Sequence, residues 1–262
     1  MSSNIDYILD DQIYENNDKT ISIFKAHKTG ALKYIAVKVY SKKYLKDKYN
    51  YEYNLMNKIK NEAIVNINSY SEDKNYFYME MEYCAKGDLA KSILQNKSNL
   101  YSETTIKLIS TQLLSGLQEL HKNGIIHCNL KPNNILIDEY GNVKICDFKK
   151  SLKVSTMNSN LMKKNKSRMT PAYTAPELFQ QEGEFSFKSK LWSLGCIIYE
   201  LSTGQVPFFD YCIGKLLIKI KSDNFHKKGL NNYSDDFIEV LKKLLVKETN
   251  ERTTWGDIEK MA

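Results

Sequence analysis

Residues 127–148 constrain this chain more than any other stretch: His127-Cys128-Asn129-Leu130-Lys131-Pro132-Asn133-Asn134-Ile135-Leu136-Ile137, then Asn142-Val143-Lys144-Ile145-Cys146-Asp147-Phe148. Two short apolar runs, 135–137 and 143–146, flank Asp138-Glu139-Tyr140-Gly141. That spacing predicts a loop followed by two strands on either side of a turn.

The pattern resembles the catalytic loop and metal-binding motif of protein kinases, which read H-R-D-L-x-x-x-N and D-F-G in active members. Here the segments read H-C-N-L-K-P-N-N and D-F-K. The resemblance implies a bilobal α+β fold, with a small antiparallel-sheet N-lobe carrying one helix and a mainly helical C-lobe. It implies a single domain over residues 1–262, divided into 1–83 and 84–262. Asn129 takes the place of the catalytic aspartate, Lys131 that of the lysine contacting the transferred phosphate, and Asn134 and Asp147 those of the magnesium-holding residues. A carboxamide has no proton-accepting group of useful basicity, and losing a positioned general base costs on the order of 10²–10⁴ in rate. The implied function is that of a pseudokinase, a scaffold or regulatory binding module that binds ATP without efficient phosphoryl transfer. Two alternatives stay open: an atypical serine/threonine kinase of low rate using Lys38, Lys131, Asn134 and Asp147, and a purely structural protein with an empty cleft.

Ahead of the loop, residues 7–40 are strand-like, with β-branched and aromatic runs at 21–24 and 34–40. Ala36-Val37-Lys38 resembles the kinase V-A-I-K lysine motif. The glycine-rich phosphate loop is not matched: counting back from Ile23, its three glycines fall on Asn16, Asp18 and Ile21, and no glycine precedes Gly30. Glycine there allows backbone N–H groups to approach phosphates closely, and Asp18 adds negative charge. Either nucleotide binds with its phosphates held differently, or this is a plain hairpin. A helix is expected over 50–60 from Tyr53, Met56 and Ile59 at three-residue spacing, and the resemblance makes Glu52 the partner of Lys38. The strand at 76–83 breaks at Cys84-Ala85-Lys86-Gly87-Asp88. By resemblance this is the hinge, with Met81 as gatekeeper, backbone groups from Glu82 to Cys84 facing adenine, and Asp88 near the ribose. Further ATP contacts are implied at Ile23, Ala36 and Leu136.

Ser102 caps an expected helix over 103–122, which stops at Gly124. His127 is expected to pack beside Phe148. Cys128 replaces the arginine that receives an activation-loop phosphate in the family. Lys149 replaces the motif glycine, and its ammonium can pair with Asp147 or reach the phosphates, giving weak, metal-tolerant or metal-independent ATP binding. Residues 150–169 are polar, basic and free of periodicity, hence an expected mobile loop with candidate phosphorylation sites at Ser155, Thr156, Ser159 and Ser167.

Thr170-Pro171-Ala172-Tyr173-Thr174-Ala175-Pro176-Glu177 is similar to the segment closing the activation loop, and the resemblance pairs Glu177 with Arg252. Residues 191–204 match the central buried helix of the C-lobe, but Lys190 stands where the family has an aspartate bonded to the catalytic-loop backbone. A donor-only side chain cannot accept those N–H bonds. Ser234 caps a last helix. Within the family the chain looks most like the Unc-51-like/Fused branch, whose association with cilia and microtubules implies protein partners of that kind.

Composition adds bounds. Five cysteines without a C-x-x-C pair suggest neither a disulfide framework nor a zinc site. Apolar content of 42% with 26% charged residues describes a globular chain. A net charge of +7 is spread among scattered lysines, so solvated side chains rather than nucleic acid or membrane contact are expected. No leader pattern and no membrane-length apolar run occurs, and 262 residues leave no room for a second module, so a cytoplasmic protein is expected, with a ciliary site implied by the branch.

Overall fold

Short β-branched and aromatic runs separated by turn residues build the N-terminal part, as their alternation dictates. In a computed structural model that describes residues 7–45, 50–96, 100–156, 169–181, 183–227 and 229–254, these runs are β1 (Tyr7–Glu15), β2 (Ile21–Lys28), β3 (Tyr34–Ser41), β4 (Ile67–Glu72) and β5 (Tyr76–Glu82). They form one antiparallel sheet in the order β1-β2-β3-β5-β4. Central β3 is buried along six consecutive residues. It is followed by a single turn, α1 (Lys42–Leu45), and by α2 (Tyr51–Met56).

The expected helix over 50–60 is thus only six residues long. Asn61 bears on the difference, because a short amide competes with the helix backbone for hydrogen bonds. The Asn61 side chain accepts the Ala63 N–H at 2.9 Å and so belongs to the following turn. Ile59 is nevertheless buried, delivered to the core by that turn.

The rest of the chain is mainly helical: α3 (Leu89–Gln95), α4 (Glu103–Lys122), α5 (Phe187–Thr203), α6 (Ile213–Ser222) and α7 (Asp235–Leu244). Ser102 caps α4 by accepting the Thr105 N–H at 3.2 Å, and Gly124 follows its end at a φ of 66° that favours glycine. Helix α5 is apolar nearly all round and is accordingly the buried axis. Gly195 on α5 lets α7 approach closely: a Cβ there would lie 2.9 Å from the Leu244 Cβ. One hydrophobic cluster runs from Met56, Ile64 and Phe77 through Leu117 and Ile145 to Leu194 and Leu241, so the sheet and the helices share a core.

Two small sheets lie between these parts. The predicted strand-turn-strand is β7 (Ile135–Ile137) paired with β8 (Val143–Ile145). The other pairs β6 (Ile125–Ile126) with β9 (Leu152–Lys153) and corrects the expected loop over 150–169, for Leu152 is buried and its strand is ordered against β6. A two-residue strand inside a polar run leaves no periodicity to read. Ser155 and Thr156 lie in a short turn after it. Ser159, Ser167 and the basic residues between them are outside the described residues.

Candidate functional site

Strand alternation turns Lys38 inward, and its buried ammonium meets two carboxylates. Lys38 Nζ lies 2.7 Å from Glu52 Oε2 on α2 and 3.0 Å from Asp147 Oδ1 beyond β8. The second Glu52 oxygen accepts the Phe148 N–H at 2.8 Å, and the Tyr40 hydroxyl also bonds Glu52 Oε2. A single carboxylate therefore ties the sheet, the helix and the segment after β8 together. Sequence reasoning overlooked Tyr40, although it stands two residues beyond Lys38 and so on the same face of the strand.

Burial alone would weaken both charges. For Lys38, burial lowers proton affinity, but Asp147 and Glu52 outweigh it and hold the ammonium well above the usual lysine range. For Asp147, burial raises the carboxyl, and the nearby Lys38 and Lys149 charges overcome it to hold the group below the usual carboxylate range. Lys149 Nζ is 3.4 Å from Asp147 Oδ2, so each oxygen of this carboxylate faces an ammonium group. Lys131 senses the same cluster: burial lowers its proton affinity, Asp147 opposes that, and Lys149 adds to it.

The loop ahead of β7 is braced from within. Asn134 Nδ2 donates to the Asn129 carbonyl at 2.8 Å, and Asn129 Oδ1 accepts the Thr170 hydroxyl at 3.3 Å. Cys128 adopts a left-handed φ of 58°, and its buried thiol donates to the Ile126 carbonyl at 3.3 Å. Burial pushes that thiol up to about 12. Lys190, from the first turn of α5, is buried behind the loop. Glu177 and Arg252 form a bidentate pair at 2.8 and 3.0 Å.

The turn where phosphate-loop glycines were sought is closed on itself. Asn16 N–H donates to the Ile21 carbonyl at 3.0 Å, and Asn16 Oδ1 accepts the Ile21 N–H at 2.8 Å. Asp18 Oδ1 accepts both the N–H and the hydroxyl of Thr20, at 3.2 and 2.7 Å. These N–H groups are already committed inside the hairpin.

Of the positions assigned to a nucleotide, Ile23 pairs with Lys38 across β2 and β3, and Ala36 pairs with Met81 across β3 and β5. Leu136 bridges to Asp88, and Cys84 is buried two residues past the end of β5. Two carboxylates carry structural duties that the sequence reading did not include. Asp88 caps α3 by accepting the Lys91 N–H at 2.9 Å, and Glu82 accepts the Asn66 N–H at 2.6 Å while its other oxygen lies 3.1 Å from Lys144 Nζ. Among the described residues no group of three or more His, Cys, Asp or Glu side chains is placed to hold a metal.

His127 packs edge-on against Phe148, ring centroids 5.0 Å apart, with Nε2 2.9 Å from the Cys146 carbonyl. Burial pushes its ring down from 6.5 to about 4. Because the folded value lies below the unfolded one, the unfolded chain takes the proton first. The neutral ring therefore contributes stability above pH 6.5 that is lost as pH falls toward 4. Across that window the loss is about 3 kcal/mol. Urea unfolding at pH 7 and pH 4.5 is expected to show a steeper loss for the wild type than for His127→Phe; equal losses would refute the assignment.

A family model described as the protein kinase domain matches residues 19–262. Among curated relatives, serine/threonine-protein kinase RUNKEL of Arabidopsis thaliana is 34% identical over 94% of this chain and 18% of its own length. Serine/threonine-protein kinase ULK4 of Mus musculus is 28% identical over 90% of this chain and 20% of its own. Serine/threonine-protein kinase ULK3 of Homo sapiens is 30% identical over 90% of this chain and 50% of its own. The chain thus spans a fifth or less of the first two relatives.

Proposed function

This chain belongs to the protein kinase domain family, and within it we propose a pseudokinase: a regulatory or scaffolding module that binds ATP without efficient phosphoryl transfer. The observation that carries this reading is Asn129. Its carboxamide stands where the family's proton-accepting carboxylate belongs, and its oxygen is already engaged by Thr170. No other carboxylate stands in the loop to replace it, and His127 is turned away, its Nε2 on the Cys146 carbonyl.

The fit to ATP differs from end to end. Apolar Ala36, Met81 and Leu136 suit a purine, and the ammonium groups of Lys38, Lys131 and Lys149 suit a polyphosphate. The hairpin at 16–21 supplies a poor phosphate cradle, since the N–H groups of Asn16, Lys19, Thr20 and Ile21 are bonded internally. When bound, ATP supplies a polyphosphate anion that these lysines neutralise. Magnesium fits less well. It requires oxygen ligands in octahedral array, yet both Asp147 oxygens face lysines; Asn134 donates its amide N–H to the Asn129 carbonyl, which leaves its Oδ1 as the one oxygen of the two residues not facing a cation. Binding is therefore metal-tolerant or metal-independent.

The test is thermal unfolding with ATP, in Mg²⁺ and separately in EDTA, for the wild type and Lys38→Ala. The expected result is a rise in Tm of about 5–10 °C at a hundredfold excess over Kd in both conditions, absent in the variant. A rise that requires Mg²⁺ would overturn metal independence. No rise at saturating ATP would favour a scaffold with an empty cleft.

A second reading, a slow serine/threonine kinase, is favoured by the intact 2.7 Å pair between Lys38 and Glu52. Autophosphorylation on Ser or Thr that disappears in Lys38→Ala would establish it. In either case the partners are proteins docking on the kinase-fold surface rather than nucleic acid or membrane. Among the described residues no helix is long and apolar enough to cross a membrane. A cytoplasmic setting, with ciliary or microtubule-associated partners, follows from the branch resemblance.

A further inference from the structure

We propose that the cavity behind the 127–134 loop binds a small monovalent anion of the halide class. Cys128 and Asn129 of the loop, Thr170 and Tyr173 of the segment beyond it, and Lys190 and Ser193 of α5 line it. This site is separate from the cluster around Lys38 and does not rest on the nucleotide reading.

The first argument is charge. Lys190 is 4% exposed. Among the described residues its Nζ has no hydrogen-bond acceptor, and it lies 5.7 Å from the centroid of the Phe185 ring. The carboxylate it senses, Glu177, has both oxygens on Arg252 at 2.8 and 3.0 Å. A buried ammonium without an acceptor is costly, so it either sheds its proton or holds an anion. Burial favours the neutral amine, and Cys128 and Glu177 oppose it; among the described residues no carboxylate faces the cavity, so the ammonium is kept where an anionic guest supplies the missing charge. Asn129 Oδ1 already accepts the Thr170 hydroxyl, leaving the amide's N–H donors for a guest. The Tyr173 and Thr174 hydroxyls donate elsewhere, to Glu200 at 2.6 Å and to the Thr170 carbonyl at 2.9 Å. A cation and a carboxamide donor, with no opposing negative charge, select an anion.

The second argument is size. The cavity volume is about 10 Å³, roughly the room one water-sized guest needs. That is room for one small guest and not for a nucleotide. An anion there neutralises Lys190 and braces the loop at Cys128, the residue held at a φ of 58°.

The test uses the full chain at constant ionic strength, with sodium chloride or bromide exchanged for sodium gluconate. The wild type is expected to gain about 5–10 °C in Tm at a hundredfold halide excess over Kd, along a saturable curve. Lys190→Met keeps an apolar stem and removes the charge, so it is expected to fold and to show no halide response. Crystals soaked in bromide provide a readout on the wild type alone, with an anomalous peak between Lys190 and Asn129 as the expected result. A wild-type shift equal to that of Lys190→Met, or no bromide in the cavity at saturating concentration, would overturn the proposal in favour of a neutral lysine beside a water.

Discussion

Arg252→Ala is expected to lower stability by about 3–5 kcal/mol, the loss that follows when one partner of a buried ion pair is removed. Arg252 is 1% exposed and makes five hydrogen bonds. Two go to Glu177; the others reach the carbonyls of Val246, Lys188 and Lys247 at 2.8, 3.0 and 3.2 Å. Its guanidinium also lies over the Trp192 ring at 5.3 Å. One side chain therefore joins the segment after Thr170, the start of α5 and the turn after α7. Truncation leaves the Glu177 carboxylate without its cation and three carbonyls without a donor. For a chain of this size the expected fall in Tm is about 6–20 °C. Glu177→Gln, which keeps hydrogen-bonding capacity and removes the charge, is expected to lose less. Thermal and urea unfolding of both variants decide the matter: a loss under about 1 kcal/mol for Arg252→Ala would mean that apolar packing, and not this pair, anchors the segment.

That anchor was legible in the sequence because it depends on two residues inside strong local patterns. Helices α4, α5 and α7 were legible for a related reason: each couples an apolar stripe or run to a capping serine or a terminal glycine. What sequence reasoning missed depends on neighbours distant in the chain. Helix α2 gives way to a turn in which the Asn61 amide accepts the Ala63 N–H, a competition that apolar spacing does not register. Strand β9 exists because Ile125 and Ile126 offer an edge to Leu152 and Lys153, and two residues carry no period of their own.

The candidate site divides in the same way. Lys38, Glu52 and Asp147 were found one by one from motifs, and the structure brings all three within 3.0 Å contacts. The phosphate-loop departure was readable as missing glycines, but the closure of that hairpin by Asn16, Asp18 and Thr20 was not, because it depends on side chains folding back on the turn's own backbone. Lys190 was readable as a donor where an acceptor belongs. Its burial beside Asn129, in a cavity without carboxylates, was not, because no local pattern reports what faces a side chain across the loop.

Restoring acceptors to that loop is expected to raise phosphoryl transfer more than any other change. Asn129→Asp combined with Lys190→Asp should increase the rate of ATP-dependent transfer to a serine peptide by about 10²–10⁴, the range a positioned general base contributes. Asn129→Asp alone should give less. With Lys190 still lining the same cavity, the new carboxylate pairs with a buried ammonium, which lowers its basicity and turns it from the substrate side. Replacing Lys190 as well removes that competitor and gives the loop an acceptor for its backbone N–H groups. The rates are measured at saturating ATP against Lys38→Ala as background. If the double variant is no faster than the wild type, the missing base is not what limits transfer. The barrier then lies with the closed hairpin at 16–21 or with the two lysines held on Asp147. Lys149→Gly added to the double variant separates these: faster transfer identifies the occupied carboxylate, and no change identifies the hairpin.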